Sequence, residues 1–272
     1  SLVGSEMCIR DSITNVLKED GVIQYDWLFK LYAKYSGRAS GLQYGDFTLR
    51  SGMDYNTILK TLSVQQVKRK TITITFPEGY TAVAIAQKME ENGLCSVDDF
   101  LACANGEDGS DFSQYDFWNA IPDTEGRLMK CEGYLFPDTY ELYKNHNAKN
   151  ALGKLIDAFA DHIDEDAFAS SKAKSMGYSM KDVVIIASLI EKETDGTDQR
   201  DIASVIYNRL QKPGETAGLL QIDASLLYGL PDHTGAITNA DKAVDTPYNL
   251  YLHKGLPPTA IANPLSLIHI SE

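Results

Sequence analysis

"TITITFPEGYTAVAIAQKMEENGL", Thr71–Leu94, is the stretch that decides the fold class. Thr71 to Phe76 alternates β-branched residues, the period-two pattern of a strand with one buried face. Pro77 and Gly79 turn the chain. Thr81 then stands where a helix needs a side-chain acceptor for its first free amides. The helix runs to about Asn92, and Gly93 stops it. A strand that feeds a helix through a tight turn predicts an α+β chain. The portion up to about residue 80 reads as a small module of its own.

Outward from there, "GVIQYDWLFKLYAKYSG" (residues 21–37) carries aromatics at helical spacing. "GLQYGDFTLRSGMDYNTILKTLS" (41–63) reads as a short strand, a glycine turn and a helix. Downstream, "SVDDFLACAN" (96–105) is a short helix, and residues 106–130 are polar and loop-like. "CEGYLFPDTYELYK" (131–144) is rich in aromatics and turn residues. Helices follow over about 150–174, 180–194 and 199–212, so the larger part is helix-rich. No internal repeat is visible.

Composition narrows the function classes. The chain has 272 residues, 43% of them hydrophobic, enough to bury a sizeable core. No apolar run reaches the roughly 18–20 residues of a membrane helix. The formal net charge of -13 argues against a nucleic-acid backbone as ligand. It leaves room for a carbohydrate, which is read by hydrogen bonds and aromatic faces, and the 15 tyrosines suit that. Cys8, Cys95, Cys103 and Cys131 match no zinc spacing and no redox pair, and they read as small buried hydrophobes. The five histidines pair with nothing at metal-ligand spacing, and no phosphate-binding glycine loop is present. No metal and no cofactor is expected. "SLVGSEMCIRDS" does not read as a signal peptide. Residues 1–12 and 265–272 read as non-native tails on a truncated sequence.

The chemistry centres on "IIASLIEKET", Ile185–Thr194, where an apolar helix ends in two carboxylates. With Val183 at zero and 100° per residue, Glu193 falls at about 280°, between Leu189 at about 240° and Ile186 at about 300°. Glu191 falls at about 80°, on the border of the face, and Lys192 at about 180°, on the polar side. A carboxyl held among Ile and Leu loses solvation, keeps its proton near neutral pH, and suits general-acid cleavage of a glycosidic bond. A plain solvated helix end is the alternative for the same residue.

Other polar residues carry two readings each. Glu132 either lines a sugar cleft or caps the segment after it. Gln221 and Asp223 flank Ile222, and Asp223 equally fits a helix N-cap. Tyr248 and Asn249 offer a stacking ring and an amide, although Asn249 also fits a turn.

Five segments, "EGYLFPDTYEL", "ASLIEKET", "ASVIYNRL", "LQIDASLLYGL" and "TPYNLYLHKGLPPTAIANP", occur in that order. Together they resemble the endolytic murein transglycosylases, the MltG or YceG-like family, from about Gly41 to Pro264. The resemblance implies a lytic transglycosylase that cuts peptidoglycan glycan strands internally and leaves 1,6-anhydro-muramyl ends. It implies that the second acid of "EKET", Glu193, is the catalytic residue, and that Glu132, Asn208, Gln221, Asp223, Tyr248 and Asn249 converge on it to bind substrate. It also implies a LysM-like module over 13–80, a catalytic domain over 81–264, and cell-wall synthases as partners. The implied location is the extracytoplasmic face of a bacterial membrane, through an anchor that this sequence lacks. Leu265 stands where the family has a Gly after "ANP". A catalytically incomplete wall-binding scaffold is the competing reading. An ordinary two-carboxylate glycosidase, with Glu132 as second acid, is the third.

Overall fold

A computed structural model describes residues 13–14, 16–18, 21–37, 49–50, 52–63, 71–110, 112–144, 147–163, 165–212, 214 and 216–265. The expected tail 1–12 and the strand expected near 41–48 lie outside them, as does the second tail beyond Leu265. The chain divides into two compact units, Ser1–Arg69 and Lys70–Glu272.

In the first unit, helix α1 (Asp26–Tyr35) packs on α2 (Tyr55–Ser63). Phe29, Ala33, Ile58, Leu59 and Leu62 form its buried core, and Phe29 meets Tyr55 edge-on at 5.3 Å. Asp54 opens α2 by accepting the Thr57 amide at 3.0 Å.

The second unit starts with the strand legible in the sequence. Strand β1 (Thr71–Thr75) pairs antiparallel with β2 (Thr139–Tyr143), Thr71 opposite Tyr143 and Thr75 opposite Thr139. The division between the two units falls ahead of this strand, and the sequence pattern placed the end of the first module at about residue 80. β2 was not anticipated: Tyr140 and Leu142 alternate inward, but only five residues follow Pro137-Asp138, too few to show a period clearly.

Thr81 caps α3 (Ala82–Glu91) by accepting the Ala84 amide at 3.2 Å. Gly93 follows at φ 69°. α4 (Val97–Asn105), the short α5 (Asp116–Asn119) and α6 (Ala148–His162) complete a layer over the sheet. Ile85, Met89, Phe100, Leu142, Leu155 and Phe159 meet in one core there. The single helix expected over 150–174 is three: α6, then α7 (Glu165–Ser170) and α8 (Lys172–Ser175). Ser171 is the cause of the last break, because it caps α8 instead of continuing α7.

α9 (Met180–Glu193) is the central pillar. A capping box between Ser179 and Asp182 starts it. Val183 to Ile190 are all buried, so the helix is apolar on every side. Val184 packs into the sheet-side core, whereas Ile185, Ile186, Leu189 and Ile190 pack into a second core. That core includes Ile206 of α10 (Gln199–Gln211), together with Leu220, Ile222 and Leu250. Ser188 survives burial because its hydroxyl donates to Ile185 O and accepts the Ile261 amide. α11 (Asp223–Tyr228) and a 3₁₀ turn (Asp241–Ala243) follow.

Gly133 shows how tightly α9 is enclosed. At φ 93°, a Cβ there would lie 2.6 Å from both Ala260 Cβ and Val184 Cγ1. Gly133→Ala is expected to destabilise the second unit by about 2–4 kcal/mol, combining overpacking with left-handed strain. Urea unfolding measures it, and an unchanged midpoint would refute this packing.

Candidate active site

α9 delivers three charged residues to one end of the pillar, and they diverge. Lys192 Nζ reaches Gly79 O at 3.5 Å, and Glu191 Oε2 lies 3.4 Å from the Leu265 amide. Both therefore face the turn that precedes α3. Glu193 turns instead toward the first turn of α11, where the Ala224 N–H and the Asp223 carboxylate act on it electrostatically. The wheel placed Glu193 within an apolar face. The structure differs: the buried run closes at Ile190, and Glu193 stays open to solvent. Its pKa is nevertheless raised above the ordinary 4.5 by partial loss of solvation, and the negative charge of Asp223 adds to this. The Ala224 amide pulls the other way, stabilising the ionised form.

The first turn of α11 is held from both sides. Gln221, which directly precedes the N-cap Ile222, is a non-glycine residue at φ 55°. Its amide donates to Leu250 O at 3.0 Å, and Arg209 of α10 donates to the neighbouring Leu220 carbonyl. A strained backbone pinned this firmly is characteristic of functional sites. The Gln221 side chain is exposed. Asp223 accepts a hydrogen bond from Tyr251 and has Lys242 Nζ 3.7 Å away. That ammonium lies over the Tyr251 ring at 4.2 Å. Tyr251 and Lys242 were missed in the sequence. Tyr251 was within reach, being two residues past Asn249, but no local pattern marks Lys242.

The other end of α11 meets Glu132. Glu132 is 1% exposed. Its oxygens accept from the Ala82 amide at 2.9 and 3.2 Å, from Asn263 Nδ2 at 2.8 Å and from Tyr228 OH at 2.9 Å. Burial pushes its pKa up to about 7 against these donors. Asn263 also accepts the Gly133 and Leu135 amides, each at 2.9 Å. Glu132 thus ties the N-terminus of α3, the 263 segment and the last residue of α11 into one knot. Of the two readings the sequence left for it, a cleft wall or a cap, these internal partners support the second.

Tyr248 and Asn249 are likewise internal, both 0% exposed. Tyr248 OH lies 2.8 Å from Thr259 Oγ1 and accepts the Leu128 amide. Asn249 Nδ2 donates to Lys242 O and Val244 O, while its Oδ1 accepts the Tyr251 amide. The turn reading of Asn249 is therefore the one this geometry supports. It clamps the backbone of both residues that bracket Asp223. Asn249→Ala is expected to cost about 2–4 kcal/mol, because buried backbone groups lose their partners. Chemical denaturation checks it, and a variant as stable as the parent would refute the clamp.

Of the six residues expected around Glu193, Asp223 is near enough to act on its charge, and Gln221 lies two residues before Asp223. Asn208 is exposed on α10 and lines a groove opposite α8. No group of His, Cys, Asp and Glu that could hold a metal occurs among the described residues.

Known proteins resemble this chain in sequence and fold. A model of the YceG-like family matches residues 9–266. The endolytic murein transglycosylase of Bacillus subtilis (strain 168) is 32% identical over 257 residues, covering 93% of this chain and 69% of that protein. Its counterpart from Streptococcus pneumoniae (strain ATCC BAA-255 / R6) is 28% identical over 271 residues, and there the chain spans 48% of the relative. The crystal structure of a yceG-like protein from Listeria monocytogenes superposes with a TM-score of 0.63 at 27% identity, over 96% of this chain and 86% of the other.

Proposed function

This chain belongs to the YceG-like family, and from that premise we propose that it is an endolytic murein transglycosylase in which Glu193 is the general acid and base. The observation that carries the residue assignment is a solvent-reachable carboxyl with a raised pKa, set against a helix N-terminus.

The chemistry follows from that setting. Protonated Glu193 gives its proton to the glycosidic oxygen between the muramyl sugar and the next N-acetylglucosamine. The C1–O bond breaks, and positive charge develops at C1. The muramyl 6-hydroxyl attacks C1 and closes the 1,6-anhydro ring. Glu193, now ionised, takes the proton of that hydroxyl. No water is consumed, and one carboxyl serves both steps. The opposed influences on Glu193 suit this double duty: desolvation and Asp223 favour the acid, and the Ala224 amide favours the base. Gln221, exposed beside this turn, is the amide placed to hold the sugar. Glu132, Tyr248 and Asn249 act by fixing the elements around it, and Asn208 would meet substrate further along α10.

Digestion of purified peptidoglycan with mass analysis of the products tests this reading. Anhydro-muramyl ends are expected. Reducing ends would convert the assignment to a hydrolase, and binding without cleavage would convert it to a scaffold.

The reading extends to the first unit and to location. We assign the helix pair α1–α2 to a LysM-like glycan-binding module, on the strength of its separate core and its place before the catalytic unit. A peptidoglycan substrate places the protein outside the cytoplasmic membrane, where cell-wall synthases would be its neighbours. No helix among the described residues is long and apolar enough to cross a membrane.

A further inference from the structure

A groove of about 850 Å³ runs between α8 and α10. Its lining mixes polar side chains with Ala173, Met176 and Ala203, and its charge is unusual for this chain. The protein has 38 acidic and 25 basic residues. Yet the described lining residues include two cations, Lys172 and Arg200, and no carboxylate. The amides of Gln199, Asn208 and Gln211 add donors and acceptors along it. Tyr207 lines the wall as well, and its buried hydroxyl has no hydrogen-bond partner among the described residues. A buried hydroxyl without a partner is costly and rare. Lys172 is exposed and makes no ion pair among the described residues.

The lining of the groove includes a residue close along the chain to the candidate acid. On the α10 side its lining starts at Thr197, and only three residues separate Thr197 from Glu193. Four residue steps span at most ~14 Å when extended. This connector is folded tighter, since Thr194 Oγ1 donates to Asp198 at 2.7 Å and accepts the Gly196 amide at 2.9 Å. A ligand in the groove is therefore within reach of a glycan strand cut at Glu193.

We infer that the groove between α8 and α10 binds the stem peptide of peptidoglycan, with Lys172 and Arg200 receiving its carboxylates. The inference rests on the transglycosylase reading for the identity of the ligand. The peptide hangs from the muramyl sugar, carries free carboxylates and exposes amides along its length. Two cations flanked by side-chain amides match that chemistry, whereas a neutral glycan would use neither cation. The groove would thereby make the enzyme prefer peptide-bearing strands to denuded ones.

The test uses the full chain carrying Glu193→Gln, titrated with a synthetic stem tetrapeptide and with the same peptide amidated at its carboxylates. The free acid is expected to bind saturably, and the amidated form at least tenfold more weakly. Lys172→Glu and Arg200→Gln, each added singly, are expected to weaken the free acid by tenfold or more. Lys172→Glu alters an exposed residue, so its fold is secure if Arg200→Gln fails. No saturable binding, or binding indifferent to both the charge variants and amidation, overturns the proposal. Anhydro ends from the parent enzyme without peptide binding would sink the groove alone. Peptide binding without anhydro ends would sink the catalytic reading and leave the groove standing.

Discussion

Glu193→Gln is expected to lower kcat for anhydro-end formation by about 10³-fold, within the range general acid catalysis contributes, while leaving the fold intact. Gln keeps the size of the side chain and an oxygen that can accept the Ala224 amide. It removes the proton that the leaving oxygen needs. Glu191→Gln should retain most of the rate, because Glu191 faces the turn before α3 instead of α11. In the parent, kcat should fall as pH rises through the Glu193 pKa, which lies above the ordinary 4.5. Asp223→Asn should move that fall to lower pH, since removing a negative neighbour makes Glu193 ionise more easily. Product analysis by mass spectrometry over a pH series reads all three. A larger loss in Glu191→Gln than in Glu193→Gln would transfer the acid to the other carboxyl.

The order of the motifs made the second unit legible, and the local signals made its helices legible. Thr81 and Gly93 mark both ends of α3, and the Ser179–Asp182 box marks the start of α9. Such ends are local events, written in adjacent residues. β2 was not readable, because a strand of five residues gains its identity from the partner strand more than sixty residues away. The break of the long helix at Ser171 was hidden for a related reason. A serine in a periodic pattern reads as helix or cap, and only packing decides between them.

The site was legible by residue type and less so by role. Helical periodicity pointed to Glu193 through an apolar face that the folded helix does not have. Eight consecutive residues from Val183 are buried, so no single apolar face exists to extend to Glu193. Partial loss of solvation raises its pKa, and Asp223 of α11, thirty residues further along the chain, adds to it. Glu132, Tyr248 and Asn249 are chemically suited to bind a sugar, and equally suited to staple loops. Their burial supports the second role, and burial is a property of the whole fold. Tyr228 and Asn263 could not be singled out alone, because each acquires its meaning only from the buried carboxylate it faces.

That carboxylate carries the second large effect. Glu132→Ala is expected to cost about 3–5 kcal/mol, since it leaves the Ala82 amide, one N–H of the Asn263 side chain and the Tyr228 hydroxyl unpaired in the interior. At about 2–4 °C per kcal/mol for a unit of this size, the thermal midpoint should drop by roughly 10 °C. Activity should fall with it, because Tyr228 ends the same helix whose first turn meets Glu193. Glu132→Gln separates charge from shape. Its oxygen can still accept from Ala82 and Asn263, and the Tyr228 hydroxyl can rotate to accept from its NH₂ group. The folded parent holds a proton on Glu132 up to about pH 7, whereas the unfolded chain releases it near the ordinary 4.5. Between those values the native state binds more protons, so this group's contribution to stability is lost as pH rises. The loss approaches about 3 kcal/mol above pH 7. The Gln variant has no such proton. Its unfolding free energy should therefore gain on the parent across that window, and the difference should be flat below it. All other titrating groups cancel in the comparison. A difference that stays constant from pH 4 to about 8 would mean that the three donors keep Glu132 ionised throughout, and that desolvation has lost to hydrogen bonding at the centre of this knot.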